Sequence, residues 1–180
     1  MTRRDLLKMT VLAVQPLIWI PSDEIEAAVA EKHCTGRLTL HNRNTGESIA
    51  VRYLDKKGRF DQNACARLNR FFRCHHTGTI CRINPKLFVL LDSVRCRLGA
   101  RERPYVLYSG YRSPEYNRVL KAEDPDVAKK SFHTRGMAAD IAIEGVSLRD
   151  IRRSAKALKK GGVGIYDCFV HLDVGPVRHW

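Results

Sequence analysis

Two histidines and an aspartate stand out by where they fall. His133 lies in SFHTRGMAADIAI (131–143), with Asp140 further along at the mouth of a short apolar run. His171 sits inside a second apolar run, FVHLDVG (169–175). Side chains alternate faces along a strand. In DCFVHLDV, therefore, His171 shares a face with Phe169 and Asp173, while Val170, Leu172 and Val174 take the other and read as core. In ADIAIE, Asp140 and Ala142 lie opposite Ile141 and Ile143. Two polar faces with small or open neighbours leave room for a metal and a substrate. Gly136 permits a turn that would bring the His133 imidazole back toward Asp140. Two imidazoles and one carboxylate make a catalytic zinc set, with the fourth position open to water. Zinc lowers the pKa of that water to roughly 7, and a nearby carboxylate can act as base and then protonate a leaving amine. Either histidine alone would read as an ordinary core histidine; the conjunction with Asp140 favours metal.

The surrounding chain supplies elements to hold these residues. GRLTLHN and ESIAVRYL alternate apolar and polar around the turn signal RNTG, which reads as a hairpin. KKGRFDQNACARLNRFF offers Asp61 or Asn63 as a cap, with Leu68, Phe71 and Phe72 at helical spacing behind Cys65. NPKLFVLLDSVRCRLG is a clearer helix: Asn84 caps it, Pro85 suits its first turn and Gly99 ends it. Its core face is Leu87, Leu90, Leu91, Val94 and Leu98. RPYVLYSGYRSPEYNRVL reads as strand, tight Ser-Gly turn, and a helix from near Pro114; EDPDVAKKS is a polar loop and AADIAI a short strand. SLRDIRRSAKALKKGG is a helix opened by Ser147 with Asp150 and closed by Gly161 or Gly162. VGIY and CFVHLDVG form a last strand pair. With helices first and antiparallel strands clustered late, the expected fold class is α+β, a small, mostly antiparallel sheet with flanking helices.

The 180 residues suit one domain with a real core. A formal net charge of +13 suggests an anionic partner. The basic residues are scattered and show no aromatic-interleaved stripe, which argues against nucleic acid. At the N-terminus, Arg3 and Arg4 precede an apolar stretch from Met9 to Pro21, and AVA at Ala28–Ala30 has the form of a cleavage site. The pair followed by DLLK resembles the twin-arginine export motif. The stretch is too short and interrupted for a stable membrane span. The expected division is an export signal over 1–30 and one domain over 31–180, a monomer located in the periplasm or cell envelope. Six cysteines are present with no C-x-x-C; one or two disulfides at most are expected, and Cys65, Cys74 and Cys96 read as core.

SFHTRGMAAD resembles the S-x-H-x-x-G-x-A-x-D motif of bacterial metallopeptidases that include D-alanyl-D-alanine carboxypeptidases and L-alanyl-D-glutamate endopeptidases. SGYRSPEYN and GGVGIY…FVHLDVGPVRHW narrow the resemblance to the YcbK-like murein endopeptidase branch, and it runs from RLTLHN to Trp180. It implies a hedgehog/D-alanyl-D-alanine peptidase-like fold, Zn2+ held by His133, Asp140 and His171, and hydrolysis of peptide crosslinks in peptidoglycan. It gives Arg112 the task of holding a substrate carbonyl or carboxylate and stabilising an oxyanion; the alternative is a structural ion pair. Ser109 and Ser131 would shape the turns and contact the site, and Arg178 and Trp180 would order the chain near it. The sequence departs from the family at the base. Relatives often carry an acid three residues before the last histidine ligand, where this chain has Cys168 in a shortened loop, with Asp167 one residue earlier. Asp167 and Asp173 are both candidates for the base, Asp167 being preferred. Asn44 stands where a histidine was expected. The alternative function is a non-catalytic, peptidoglycan-binding or scaffold protein that keeps the fold with a degraded general base.

Overall fold

The computed structural model describes residues 35–125, 127–128 and 130–180. The expected export signal and Cys34 lie outside the described residues.

Strands β1 (Arg37–Asn42) and β2 (Ser48–Arg52) form the expected antiparallel hairpin. Asn42 shapes its turn, with Oδ1 accepting from the amides of Asn44 and Thr45. Helix α1 (Gln62–Phe71) starts at Asp61, whose side chain accepts from Ala64 N at 2.9 Å. Helix α2 (Pro85–Arg97) is capped by Asn84 and carries Pro85 in its first turn. It is buried on nearly every side, not on the expected stripe alone, and Leu98 just beyond it is only half-buried. Two of its buried polar residues, Asp92 and Arg95, bond to the chain around β1. Asp92 accepts from Gly36 N, Thr35 Oγ1 and Tyr53 Oη, and Arg95 donates to Arg37 O. These bonds tie the start of β1 to the helix.

Strand β3 (Tyr105–Ser109) is followed by α3 (Pro114–Glu123), capped by Ser113, then by β4 (Ala138–Ile143). Helix α4 (Leu148–Leu158) opens with Ser147 and Asp150 bonded reciprocally. Its left-handed closing position is Lys159, at φ +52°, rather than the expected Gly161 or Gly162. The chain ends in β5 (Gly162–Ile165), β6 (Val170–Asp173) and the two-residue β7 (Arg178–His179).

Among the described residues the fold is α+β with four helices, but the sheet differs from the small, mostly antiparallel one expected. It has seven strands in the order β2-β1-β3-β4-β6-β5-β7 and is mixed. The pairs β1/β3 and β5/β7 are parallel. The first hairpin joins the later strands because α1 and α2 form a crossover that returns β3 beside β1, as a parallel pair requires. Helices therefore alternate with strands instead of preceding them.

One sheet face supplies Leu38, Leu40, Leu107, Ile141, Val170 and Leu172 to a single core shared with α2 and α4. Alternation then turns the intervening residues outward. Register sets Asp140 opposite both Ser109 on β3 and His171 on β6. Five described cysteines are free: Cys65, Cys74 and Cys96 are buried, Cys81 half-buried and Cys168 exposed.

Candidate active site

The site is assembled from two adjacent strands and one turn. Asp140 and His171 face each other across β4 and β6. His133 opens a short 3-10 turn, His133–Arg135, that ends at Gly136 with φ +63°. A Cβ at Gly136 would stand 2.6 Å from Arg82 O, so both conformation and space demand glycine. The turn is anchored to the start of α2, because Asn84 N donates to Gly136 O at 2.8 Å.

Three donor atoms converge. Asp140 Oδ1 lies 3.1 Å from His133 Nε2 and 2.8 Å from His171 Nδ1, and the two nitrogens are 3.1 Å apart. The outer hydrogen bonds determine what these atoms carry. His133 Nδ1 is 2.7 Å from Gly110 O, a carbonyl that can only accept, so Nδ1 holds the proton. His171 Nε2 is 3.0 Å from Asp173 Oδ2, a carboxylate oxygen, and likewise donates. In the neutral rings, His133 Nε2 and His171 Nδ1 are thus lone pairs aimed at the same point as Asp140 Oδ1. Such a cluster repels itself unless a cation, a proton or a metal ion, sits among its members.

The donor set fits zinc. Ligands of a tetrahedral zinc with bonds of about 2.0–2.1 Å lie about 3.3 Å apart. The observed separations need open by only a few tenths of an ångström to accommodate it. Each donor is also held from behind, as a metal ligand would need to be: His133 by Gly110 O, His171 by Asp173, and Asp140 by Arg112, whose NH2 donates to Oδ2 at 2.7 Å.

Electrostatics reflect this crowding. Burial would raise the Asp140 carboxyl, but His133 and His171 hold it well below the usual carboxylate range. Burial pushes His133 down. Burial also opposes a charged His171, yet the hydrogen bonds it donates to the Asp140 and Asp173 carboxylates outweigh it and raise that ring.

The donors form the floor of an open cleft of about 880 Å³, whose walls include Tyr108, Tyr116, Phe132, Tyr166, Phe169 and Trp180. A concave site with apolar walls and a few convergent polar groups is the usual form of a substrate site. Arg112 lines it. Its Nε donates to Ser109 Oγ and its NH2 to Asp140, leaving NH1 without a hydrogen-bond partner among the described residues. Ser131 is buried beneath His133 and accepts from its amide. Asn44 sits on the cleft wall and donates to Tyr108 O.

The two candidate bases lie elsewhere. Asp173 is fully buried behind His171 and does not line the cleft. Asp167 is exposed at the tip of the β5–β6 connection, where Tyr166 N bonds Phe169 O, and it does not line the cleft either. Sequence reasoning missed the Gly110 carbonyl, having read Ser-Gly only as a turn. Trp180 apart, it also missed the aromatic walls, whose residues come from five separate segments with no shared local pattern.

An α+β domain thus gathers two imidazoles and a carboxylate, a group that could hold a metal ion, on the floor of an open cleft. Residues 30–180 match the family model described as "Peptidoglycan L,D-endopeptidase MepK", and the chain belongs to that family. It is 47% identical over 145 residues to the peptidoglycan L,D-endopeptidase MepK of Escherichia coli (strain K12), covering 79% of each chain. It is 36% identical to the probable peptidoglycan L,D-endopeptidase MepK of Haemophilus influenzae, covering 79% of this chain and 77% of the relative.

Proposed function

We propose that the chain is a zinc-dependent peptidoglycan endopeptidase of L,D type, exported by the twin-arginine-type signal in residues 1–30 and acting as a monomer in the periplasm or cell envelope. The observation that carries the zinc reading is the convergence of three lone-pair donors, the two imidazoles having their tautomers set by Gly110 O and Asp173. The match to a peptidoglycan endopeptidase family carries the substrate class. A net charge of +13 suits an anionic wall polymer. The fold is proposed to be of the hedgehog/D-alanyl-D-alanine peptidase kind, supported by the position of the site on the open sheet face.

His133, Asp140 and His171 would hold the ion. When bound, zinc supplies Lewis acidity, polarising a carbonyl and acidifying water. Arg112 binds the scissile carbonyl through NH1, which has no hydrogen-bond partner among the described residues, and stabilises the negative charge that develops there. Ser109 fixes the guanidinium plane through Nε. Proton transfer to the leaving amine is assigned to Asp167, carried to the cleft by a bend of the β5–β6 connection, since both oxygens of Asp173 are engaged by other donors. An L,D bond joins a carbonyl from an L centre to an amine from a D centre. A 3-3 crosslink contains such a bond; a 4-3 crosslink is a D,D bond.

One observation favours a second reading, a wall-binding protein that keeps the fold and the metal without turnover: neither Asp167 nor Asp173 lines the cleft. The deciding experiment incubates the zinc-loaded mature protein with crosslinked murein, beside His133→Ala, and resolves the products by mass spectrometry. Uncrosslinked peptides from the wild type alone are expected, and their masses identify the bond. Stoichiometric zinc without cleavage would establish the second reading.

A further inference from the structure

We propose that Arg178 is a positioning residue of the metal centre, acting on His171 through Asp173, and that Gly162 is glycine in order to admit this pair. The inference rests on the zinc reading above and extends it to the segment 176–180, which none of the proposed catalytic steps uses.

Asp173 accepts five hydrogen bonds. Oδ1 receives Gly162 N at 3.1 Å, Gly175 N at 2.8 Å and Arg178 NH1 at 3.1 Å. Oδ2 receives His171 Nε2 at 3.0 Å and Arg178 NH2 at 2.7 Å. The guanidinium thus grips both oxygens as a fork, which fixes the carboxylate plane as well as its position. That plane determines where Oδ2 stands relative to the imidazole. Orienting a ligating histidine through its far nitrogen is what the carboxylate partner of such a ligand does; here the carboxylate is itself oriented.

Arg178 is held in turn. Its guanidinium carbon lies 4.6 Å from the Phe132 ring centre and 5.1 Å from that of Trp180. Strand β7 docks on β5 through Arg178 N to Gly161 O and Trp180 N to Val163 O. Trp180 continues over the site, its ring 5.5 Å from that of His171 and its Nε1 donating to Tyr166 Oη.

Glycines make this fit possible. A Cβ at Gly162 would stand 2.3 Å from Asp173 Oδ2 and 2.6 Å from Arg178 NH1. A Cβ at Gly164, the register partner of His171, would stand 2.5 Å from the Trp180 ring. Neither glycine has a positive φ, so close approach rather than backbone conformation requires them.

The test measures zinc affinity by chelator competition in wild type, Arg178→Ala, Arg178→Lys and Gly162→Ala. It also records the His171 Nε2–H signal by NMR in the metal-free proteins. Arg178→Ala should weaken zinc binding about 10- to 100-fold, the usual loss when such a supporting partner is removed. Gly162→Ala keeps every charged group yet displaces the pair, so it should weaken zinc to a similar degree. Arg178→Lys should fall between, because an ammonium cannot span both oxygens. The His171 signal should shift or broaden in step. Unchanged zinc affinity and an unchanged His171 signal in both Arg178→Ala and Gly162→Ala, whatever their melting temperatures, would overturn the proposal. Failure of the wild type to bind zinc would refute the metal reading instead, and the NMR comparison would still decide whether Arg178 orients the ring.

Discussion

Replacing Arg112 by alanine separates its two tasks. The guanidinium donates to Asp140 Oδ2 at 2.7 Å and to Ser109 Oγ at 2.9 Å, and its side chain is 17% exposed against 3% for Asp140. Removing one partner of a buried charge pair costs about 3–5 kcal/mol. Asp140 retains two imidazoles, so the lower end, about 3 kcal/mol, applies in the metal-free protein. At about 2–4 °C per kcal/mol for a domain of this size, metal-free Arg112→Ala should melt about 6–12 °C below wild type. Loss of one donor to a developing oxyanion costs about 10²–10³ in kcat. Zinc-loaded Arg112→Ala should lose that much in kcat on a crosslinked dimeric muropeptide, with a smaller change in KM. Arg112→Lys should recover part of the stability and little of the rate, since one ammonium cannot reach Ser109, Asp140 and a carbonyl together. Circular-dichroism melting with chelator and chromatographic initial rates read the two effects independently. A kcat within threefold of wild type would refute the oxyanion assignment and leave Arg112 as a counter-ion of Asp140. An unchanged melting temperature would refute the burial argument.

Three other outcomes are expected. Asp167→Asn should lower kcat by about 10²-fold or more, the usual contribution of a positioned acid or base, and leave zinc affinity intact; wild-type turnover would remove Asp167 from proton transfer. Burial would raise the Asp173 carboxyl, but His171, Arg178 and two backbone amides hold it well below the usual range, and Asp140 is depressed likewise. Their stabilisation is complete above the unfolded value of about 3.9 and is lost as pH falls through the depressed folded values. The denaturation midpoint of the metal-free protein should therefore decline below about pH 4, and less steeply in Asp173→Asn; identical acid limbs would contradict this. Burial, aided by Asp61, pushes the Cys65 thiol up to about 11. At pH 8, iodoacetamide should modify exposed Cys168 quickly and Cys65 only on unfolding, as peptide mapping would reveal.

Much of this protein follows from short-range rules that a sequence displays directly. Asp61, Asn84 and Ser147 cap their helices because an exposed amide needs an acceptor wherever it occurs. Alternation along a strand is equally local, so Val170 and Leu172 could be assigned to the core and His171 and Asp173 to the opposite face before any partner strand was known. The meeting of His133, Asp140 and His171 was legible on that basis, with Gly136 marking the turn that returns His133.

The tertiary structure decided what depends on distant segments meeting. Local patterns carry no information about strand order, which brought β1 beside β3 and β7 beside β5. The same limit applies at the site. Gly110 and Arg178 are unremarkable in their own neighbourhoods, yet one sets the tautomer of His133 and the other grips the carboxylate behind His171. Spacing placed Asp167 four residues before His171 and Asp173 two after it, which left both as candidates. Only the packed sheet buried Asp173 among five donors and left Asp167 at an exposed turn. The sequence by itself determined which residues offer lone pairs and which face each would take. The three-dimensional packing determined which of them share a point in space and what holds them there, because those contacts join residues far apart along the chain.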